Sequence, residues 1–448
     1  MKGLKNFFHQ QEDILSIIAG IEGGLKEQLV TGLSGSARTL FLSSIYEKTK
    51  KSVVIITYNL LHAQKLFDDL TQIIGEEDVF LYPANELISA EISIASPELR
   101  AQRIEVLNRL SLQKRGITII PIAGIRRMVP SPAIWKEYQI TFKLGEEIDV
   151  EQHLQLLVEM GYVRTEMITA PGEFSVRGGI IDIYPLTEPN PVRIELFDTE
   201  IDSIRSFSLE NQRSIDKRKE LSIGPATEMP FKEKHFEQLA QRLDAGLKAS
   251  LKVIKDEKAK AQALQNVGYE LEQLRNKQKP EGLFKYLSIT EDHDSSLLDY
   301  FPKNTILFID EISRVQEMNE SLEREEAEWY THLLAEGNII QGINVSHDIH
   351  ELFSGLRQPI VYLSLFLRHV PNTNPQNIIN INCKQMQSFH GQMNVLKGEI
   401  DRWKKSHYSI LLLGSDEERI KKLERVLQDY EIEADVTSGS DLIAGKVQ

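Results

Sequence analysis

The N-terminal part of the chain alternates short apolar runs with stretches whose apolar positions recur every three or four residues. Glu27 to Thr31 leads into a glycine loop, and Ser36 to Lys48 reads as a helix. Val53-Val54-Ile55-Ile56-Thr57 is β-branched throughout, the pattern of a buried strand. Leu60 to Ile74 carries Leu61, Leu66, Leu70 and Ile73 near helical spacing. Val79 to Tyr82 predicts a short strand, Pro97 to Leu112 a helix with proline near its start, and Ile117 to Pro121 a further strand. Strands alternating with helices predict a parallel sheet with helices on both faces over residues 1–128.

The pattern changes after Met128, where Pro130-Ser131-Pro132 punctuates the chain. A short helix, Val150 to Met160, precedes a series of β-type runs: Phe174 to Arg177, Ile180 to Tyr184, Val192 to Phe197 and Ile201 to Phe207. Gly178-Gly179 fits a hairpin turn. Residues 129–225 therefore read as a small α+β domain with an antiparallel sheet. Lys232 to Lys279 is polar and helical, with Phe236, Leu239, Leu243, Leu247, Leu251 and Ile254 in one stripe. Such a stripe serves either a partner or, as the more ordinary reading, the helix's own core. Thr305 to Ile309 returns to a buried strand, so residues 226–372 complete the first α/β domain and the β-rich segment is an insertion. Pro371 to Pro375 resembles a linker. Residues 373–448 then read as a small α/β third domain, with strands at Ile378–Ile381, Ile410–Ser415 and Ile432–Val436 and helices at Met393–Lys404 and Asp416–Tyr430.

Net charge is −14 with pI about 5.4, which removes an overall basic footprint for nucleic acid while leaving room for a local one. The single cysteine, Cys383, excludes an intrachain disulfide framework and fits a reducing, cytoplasmic compartment. The N-terminus lacks a signal-peptide pattern, and no stretch approaches the ~20 apolar residues that span a bilayer, so a membrane partner is not expected. The chain ends without a stop-like tail and reads as a piece of a longer protein.

The chemistry suggested first is nucleotide binding. Thr31-Gly32-Leu33-Ser34-Gly35-Ser36-Ala37-Arg38-Thr39 nearly matches G-x-x-x-x-G-K-[ST]. Ala37 stands where a glycine admits close phosphate approach, and Arg38 replaces the compact lysine with a wide planar fork. Thr39 retains the hydroxyl that would hold magnesium. After the strand at Thr305–Ile309, Asp310 would hold the metal through water and Glu311 would polarise the attacking water. Together these residues predict a RecA-like phosphate-loop fold whose site has degenerated. A nucleotide-binding, helicase-like ATPase is the alternative. The histidines His62, His153, His235, His347 and His350 read as scattered, mostly surface residues, and no zinc site or catalytic triad emerges. The second notable stretch runs from Arg164 to Pro185, where Arg164 and Arg177 are either solvated hairpin arginines or a docking face.

The segments GLSGSART, GEFSVRGGIIDIYP and VRIELFDTEIDSIRSF, with the order of domains, resemble the N-terminal part of bacterial transcription-repair coupling factors. The same segments resemble the excision-repair protein UvrB. The resemblance implies a UvrB-homology module that recruits UvrA to begin transcription-coupled repair, without catalysis of its own. Arginines of the UvrA-binding face match Arg164 and Arg177, a third is replaced by Ser175, and Phe174 offers adjacent apolar area. The resemblance further implies that contacts with RNA polymerase and with DNA, and the ATP and magnesium of a DNA translocase, belong to later domains outside these residues. UvrB's aromatic-rich strand-separating hairpin has only a short counterpart in Leu81–Leu107, so damage verification is not expected.

Overall fold

The computed structural model describes residues 2–85, 97–368, 371–383, 386–412, 417–436 and 447. Along the chain, β1 (Glu27–Thr31), β2 (Val53–Thr57), β3 (Val79–Leu81) and β4 (Ile117–Pro121) come first. They are followed by β5 (Met128–Val129), β6 (Ile140–Lys143), β7 (Val163–Arg164), β8 (Glu173–Arg177), β9 (Ile180–Ile183) and β10 (Val192–Phe197). Then come β11 (Glu200–Phe207), β12 (Ser214–Arg218), β13 (Glu220–Ile223), β14 (Ser295–Ser296), β15 (Ile306–Asp310), β16 (Ile360–Ser364) and β17 (Asn377–Asn380). By contact density the chain divides into two units, residues 1–50, 69–75 and 361–448, and residues 51–68 and 76–360.

In the first unit β1 lies between β17 and β16, pairing in parallel with β17 from Gln28↔Asn377 to Thr31↔Asn380. The helix Ser36–Thr49 follows β1 and buries Leu40, Phe41, Leu42 and Ile45. The third domain read from residue 373 onward thus differs first in that Asn377–Asn380 joins the sheet of β1. The helix Met393–Lys405 forms as expected, and Leu396, Ile400, Leu427, Ile432 and Val447 make a small core of their own. Ile410 makes only an isolated parallel bridge to Val447, and residues 432–436 form no strand. The predicted strand's Leu413 to Ser415 lie outside the described residues, as do residues 86–96 of the hairpin counterpart.

In the second unit β15, β2, β4 and β3 pair in parallel in that order. All five residues of β2, β4 and β15 are buried, which is why their sequences are continuous apolar runs rather than alternating ones. Between β4 and β15 sits the predicted insertion. Its six strands run β12–β11–β10–β9–β8–β7, antiparallel except for the parallel pair β7–β8 at one edge. A separate antiparallel pair, β6–β13, closes the other side of the core. That core is self-contained: Phe142, Leu157, Tyr162, Phe174, Ile181, Ile183, Ile194 and Ile204 pack together with neighbours drawn from the same segment. Asp149 caps the helix Val150–Glu159 by accepting from the Gln152 amide at 3.0 Å, supplying one of the partners a helix start lacks.

The polar helical stretch after the insertion is two helices, Glu233–Val253 and Glu257–Arg275, with Asp256 capping the second. The stripe Phe236, Leu239, Leu243 and Leu247 packs with Val267, Leu271, Leu274 and Ile340. It is core, and a partner-binding role for it is set aside.

Candidate docking face and glycine loop

The inserted sheet has one apolar side and one charged side because its strands alternate. Register aligns Ser175 of β8 with Asp182 of β9, Arg193 of β10, Arg205 of β11 and Lys217 of β12 in one polar row. The neighbouring row, Phe174, Ile183 and Val192, points into the core. At the centre of the polar row the Asp182 side chain is almost fully buried. It accepts hydrogen bonds from Arg177 Nη2 at 2.8 Å, Arg193 Nε at 2.6 Å and Arg193 Nη2 at 2.9 Å. A buried carboxylate is tolerated because these guanidiniums satisfy its oxygens. The same hydrogen bonds push the Arg193 pKa up. Arg193 also lies 4.4 Å over the Phe207 ring. Beside it, Glu195 accepts from Arg205 and from the Ser203 hydroxyl.

Arg177 is anchored through one nitrogen while its side chain stays 50% exposed. It stands next to the Gly178-Gly179 turn, where Gly178 adopts φ +60°, a left-handed conformation that favours glycine. Arg164 is exposed on the edge strand β7, in parallel register with Phe174. By that register Arg164 belongs to the opposite side of the alternation from Arg177, so the two arginines do not share one row. Phe174 requires correction. It is 0% exposed, inside the core, and offers no apolar area to a partner. The exposed aromatic of this sheet is Phe197, 79% exposed at the end of β10. The signal was in the alternation of Val192-Arg193-Ile194-Glu195-Leu196-Phe197, which puts Phe197 on the outward side with Arg193 and Glu195.

The glycine loop lies between β1 and the helix Ser36–Thr49, in strand–loop–helix order. Gly32 has φ +82°, and a Cβ there would stand 2.1 Å from the Ile381 carbonyl oxygen, so this position admits only glycine. Gly35, at φ 53°, precedes the helix without a side-chain cap. Ser36 opens the helix, and Ala37 is partly buried. Arg38 folds back and donates from Nη2 to the Leu33 carbonyl at 3.0 Å, across the loop. Thr39 is buried. Burial raises the pKa of the Cys383 thiol, and the backbone of Ser34 opposes that rise.

In the second unit Asp310 ends β15 with its side chain fully buried, and His62 Nε2 lies 2.7 Å from Asp310 Oδ2. Tyr58 stacks on His62 with ring centroids 4.8 Å apart and receives a hydrogen bond from Arg314 Nη1 at 3.1 Å. His62 is thus no scattered surface histidine. It holds the acid that the sequence offered for magnesium. Glu311 takes a left-handed conformation, φ 55°, at the start of the helix Ile312–Ala335.

A self-contained mixed sheet with a charged outer face, inserted into a parallel α/β framework, is consistent with a UvrB-like multidomain layout. In agreement, residues 140–229 match the family described as the UvrB interaction domain. Over the whole chain, 448 residues are 50% identical to the transcription-repair-coupling factor of Bacillus subtilis (strain 168), covering 38% of that protein. The factor of Staphylococcus haemolyticus (strain JCSC1435) is 34% identical over 427 residues, 95% of this chain and 36% of that protein. A Staphylococcus aureus (strain bovine RF122 / ET3-1) factor is 34% identical over 419 residues, 91% of this chain and 35% of that protein. The chain corresponds to the N-terminal region of transcription-repair-coupling factors and spans well under half the length of these relatives.

Proposed function

We propose that this chain is a non-catalytic docking module that recruits UvrA to start transcription-coupled repair. The observation that supports this most is Arg177, a half-exposed guanidinium fixed by a buried carboxylate within the stretch that matches the UvrB interaction domain. A charged group already held in place loses little freedom on binding, so its contact with a partner carboxylate is realised more fully. Contacts with RNA polymerase and DNA, and ATP-driven translocation, are assigned to other parts of the full-length coupling factor. The glycine loop is read as ancestry rather than activity. Arg38 is turned onto Leu33 and Asp310 is held by His62, an arrangement that suits structure better than a magnesium nucleotide.

Purified chain titrated with UvrA tests the docking reading. Arg177→Ala is expected to weaken binding by about tenfold or more, the size of an interface hot spot. Equal affinities would overturn the proposed face. Calorimetric titration with ATP and magnesium, expected to give no binding heat, tests the other half. Tight binding abolished by Arg38→Ala would restore the ATPase reading.

A further inference from the structure

We infer that the closed end of the helical pair Glu233–Val253 and Glu257–Arg275 is a contact for the phosphate backbone of duplex nucleic acid, made by Lys252, Lys255 and Lys258. The contact is additional to the DNA contacts assigned above to other parts of the full-length factor, and it is independent of the UvrA-docking reading. It is the local basic face that the acidic balance of the chain left room for.

Residues 248–260 carry five lysines, Lys248, Lys252, Lys255, Lys258 and Lys260, against two acids, Asp256 and Glu257, in a chain whose net charge is −14. The structure sorts these groups. Lys248 pairs with Asp244 at 2.6 Å and Lys260 with Glu257 at 2.7 Å, so the two outer lysines are already neutralised. The Asp256 carboxylate accepts the Ala259 amide at 2.9 Å as the cap of the second helix. Lys252, Lys255 and Lys258 are exposed, and among the described residues their side chains form no ion pair or hydrogen bond. Three residues, Ile254 to Asp256, join the two helices, and both helices feed the core of Leu243, Leu247, Val267 and Leu271. The helices therefore run antiparallel, and the three free lysines gather at one closed end.

The fold does not account for all three. Lys252 lies in the last turn of its helix, where the helix dipole favours a cation. Lys258 lies in the first turn of the next helix, where the dipole favours an anion and a lysine costs stability. A charge placed against the local rule with no bonded carboxylate marks a site with another use. Residue types then select the partner. Lysine is depleted at protein–protein interfaces, whereas it is a point-charge binder of phosphate. Residues 248–260 contain no aromatic ring to stack on unpaired bases and no Arg, Asn or Gln to read base edges. The contact is therefore with the backbone, indifferent to base sequence, and its strength comes from counterion release.

The test titrates the whole 448-residue chain onto a fluorescent mixed-sequence DNA duplex and reads anisotropy at a series of salt concentrations. Three phosphate contacts give a slope of log affinity against log salt of about −2.7, so a fourfold rise in salt should weaken binding about fortyfold. The variant Lys252→Gln/Lys255→Gln/Lys258→Gln should lose most of that slope while keeping the parent's melting temperature, since the three side chains are bonded to nothing within the fold. Lys252→Arg/Lys255→Arg/Lys258→Arg keeps the charges and should keep the slope. Lys248→Gln/Lys260→Gln removes the lysines that are already paired and should change the slope by less than about one. A parent chain without affinity for the duplex overturns the inference, as does a triple Gln variant with the parental slope. A triple Gln variant that loses UvrA affinity with duplex binding unaltered would assign this end to an acidic protein surface and overturn it too.

Discussion

The two phenylalanines of the inserted sheet separate what residue type implies from what position implies. Phe174 and Phe197 have the same side chain and lie on neighbouring parts of one sheet, yet one is 0% and the other 79% exposed. Parity along the strand decides between them. Glu173-Phe174-Ser175-Val176-Arg177 alternates with Phe174 on the side of Val176, hence inward. The resemblance to UvrB directed attention to Phe174 as contact area, although the period-two pattern already placed it in the core. Phe174→Ala is therefore expected to destabilise the chain by about 3–5 kcal/mol, the cost of a cavity at a fully buried aromatic. Denaturant unfolding should show this drop, while UvrA affinity per folded molecule stays within about twofold of the parent. A large loss of affinity without a loss of stability would return Phe174 to the docking face. The ion pairs of Asp182 were less legible. Ser175, Asp182 and Arg193 are far enough apart in sequence that only the register brings them into one row.

At the scale of elements, caps and turns carry consequences that hydrophobic spacing did not reveal. The helix Glu233–Val253 was readable from its stripe, and its break before Asp256 was not, because Asp256 acts as a cap only once the chain turns there. Its start depends on His235, whose Nδ1 accepts the Lys232 amide at 3.1 Å. Burial, reinforced by His293 and by the charges of Lys234 and Lys232 against the weaker opposing pull of Glu137, lowers the His235 pKa to about 4. Its unfolded value is near 6.5, so the folded state favours the neutral ring. The stabilising contribution is complete above about pH 6.5 and is lost as pH falls toward about 4, amounting to about 3 kcal/mol when fully lost. Protonation also puts a hydrogen where the cap needs a lone pair. His235→Gln keeps an acceptor that does not titrate. Its stability should fall less steeply than the parent's between pH 7 and 4.5, measured by urea unfolding at each pH; parallel curves would sink the claim. Gly32 supplies a second element-scale expectation. Gly32→Ala combines a left-handed φ with a 2.1 Å clash against Ile381. It should lower stability by more than about 1 kcal/mol, and thermal melting would expose it as tolerable if the midpoint does not move. The pairing of β17 with β1 that creates this clash joins segments from opposite ends of the chain, and neither strand's composition signals the other.

For the molecule as a whole, the division into a parallel α/β framework and an inserted mixed sheet was legible, and its physical basis is local burial. The alternation of buried strands and helices marked the parallel α/β framework, and the switch from continuous to alternating apolar patterns marked the insertion. What periodicity could not supply was where the insertion's energy comes from. Its core draws on Ile134 through Ile223, with Ala226 packed at its margin, all within one continuous segment. Ties to the flanking chain include Trp135 Nε1 to Asn108 at 2.9 Å, the Asn108 side-chain amide to the Pro225 carbonyl at 3.4 Å, the Gln139 side-chain amide to the Ser111 hydroxyl at 2.5 Å, the Ser131 amide to the Asp292 carbonyl at 2.7 Å, the Tyr300 hydroxyl to the Pro130 carbonyl at 2.6 Å, and the buried Arg103–Glu228 pair at 2.6 Å. Severing them leaves Trp135 and Glu228 facing water rather than stranded inside, because the partners that buried them depart as well. Residues 130–229 expressed alone should consequently fold cooperatively with a lowered melting temperature. If docking is a property of the outer face, the ratio of UvrA affinities between parent and Arg177→Ala should be the same in this fragment and in the full chain, within about twofold. A fragment that unfolds cooperatively yet shows no Arg177 dependence would mean that the affinity arises elsewhere in the chain. In that case the charged face of the inserted sheet would be a solvated surface and nothing more.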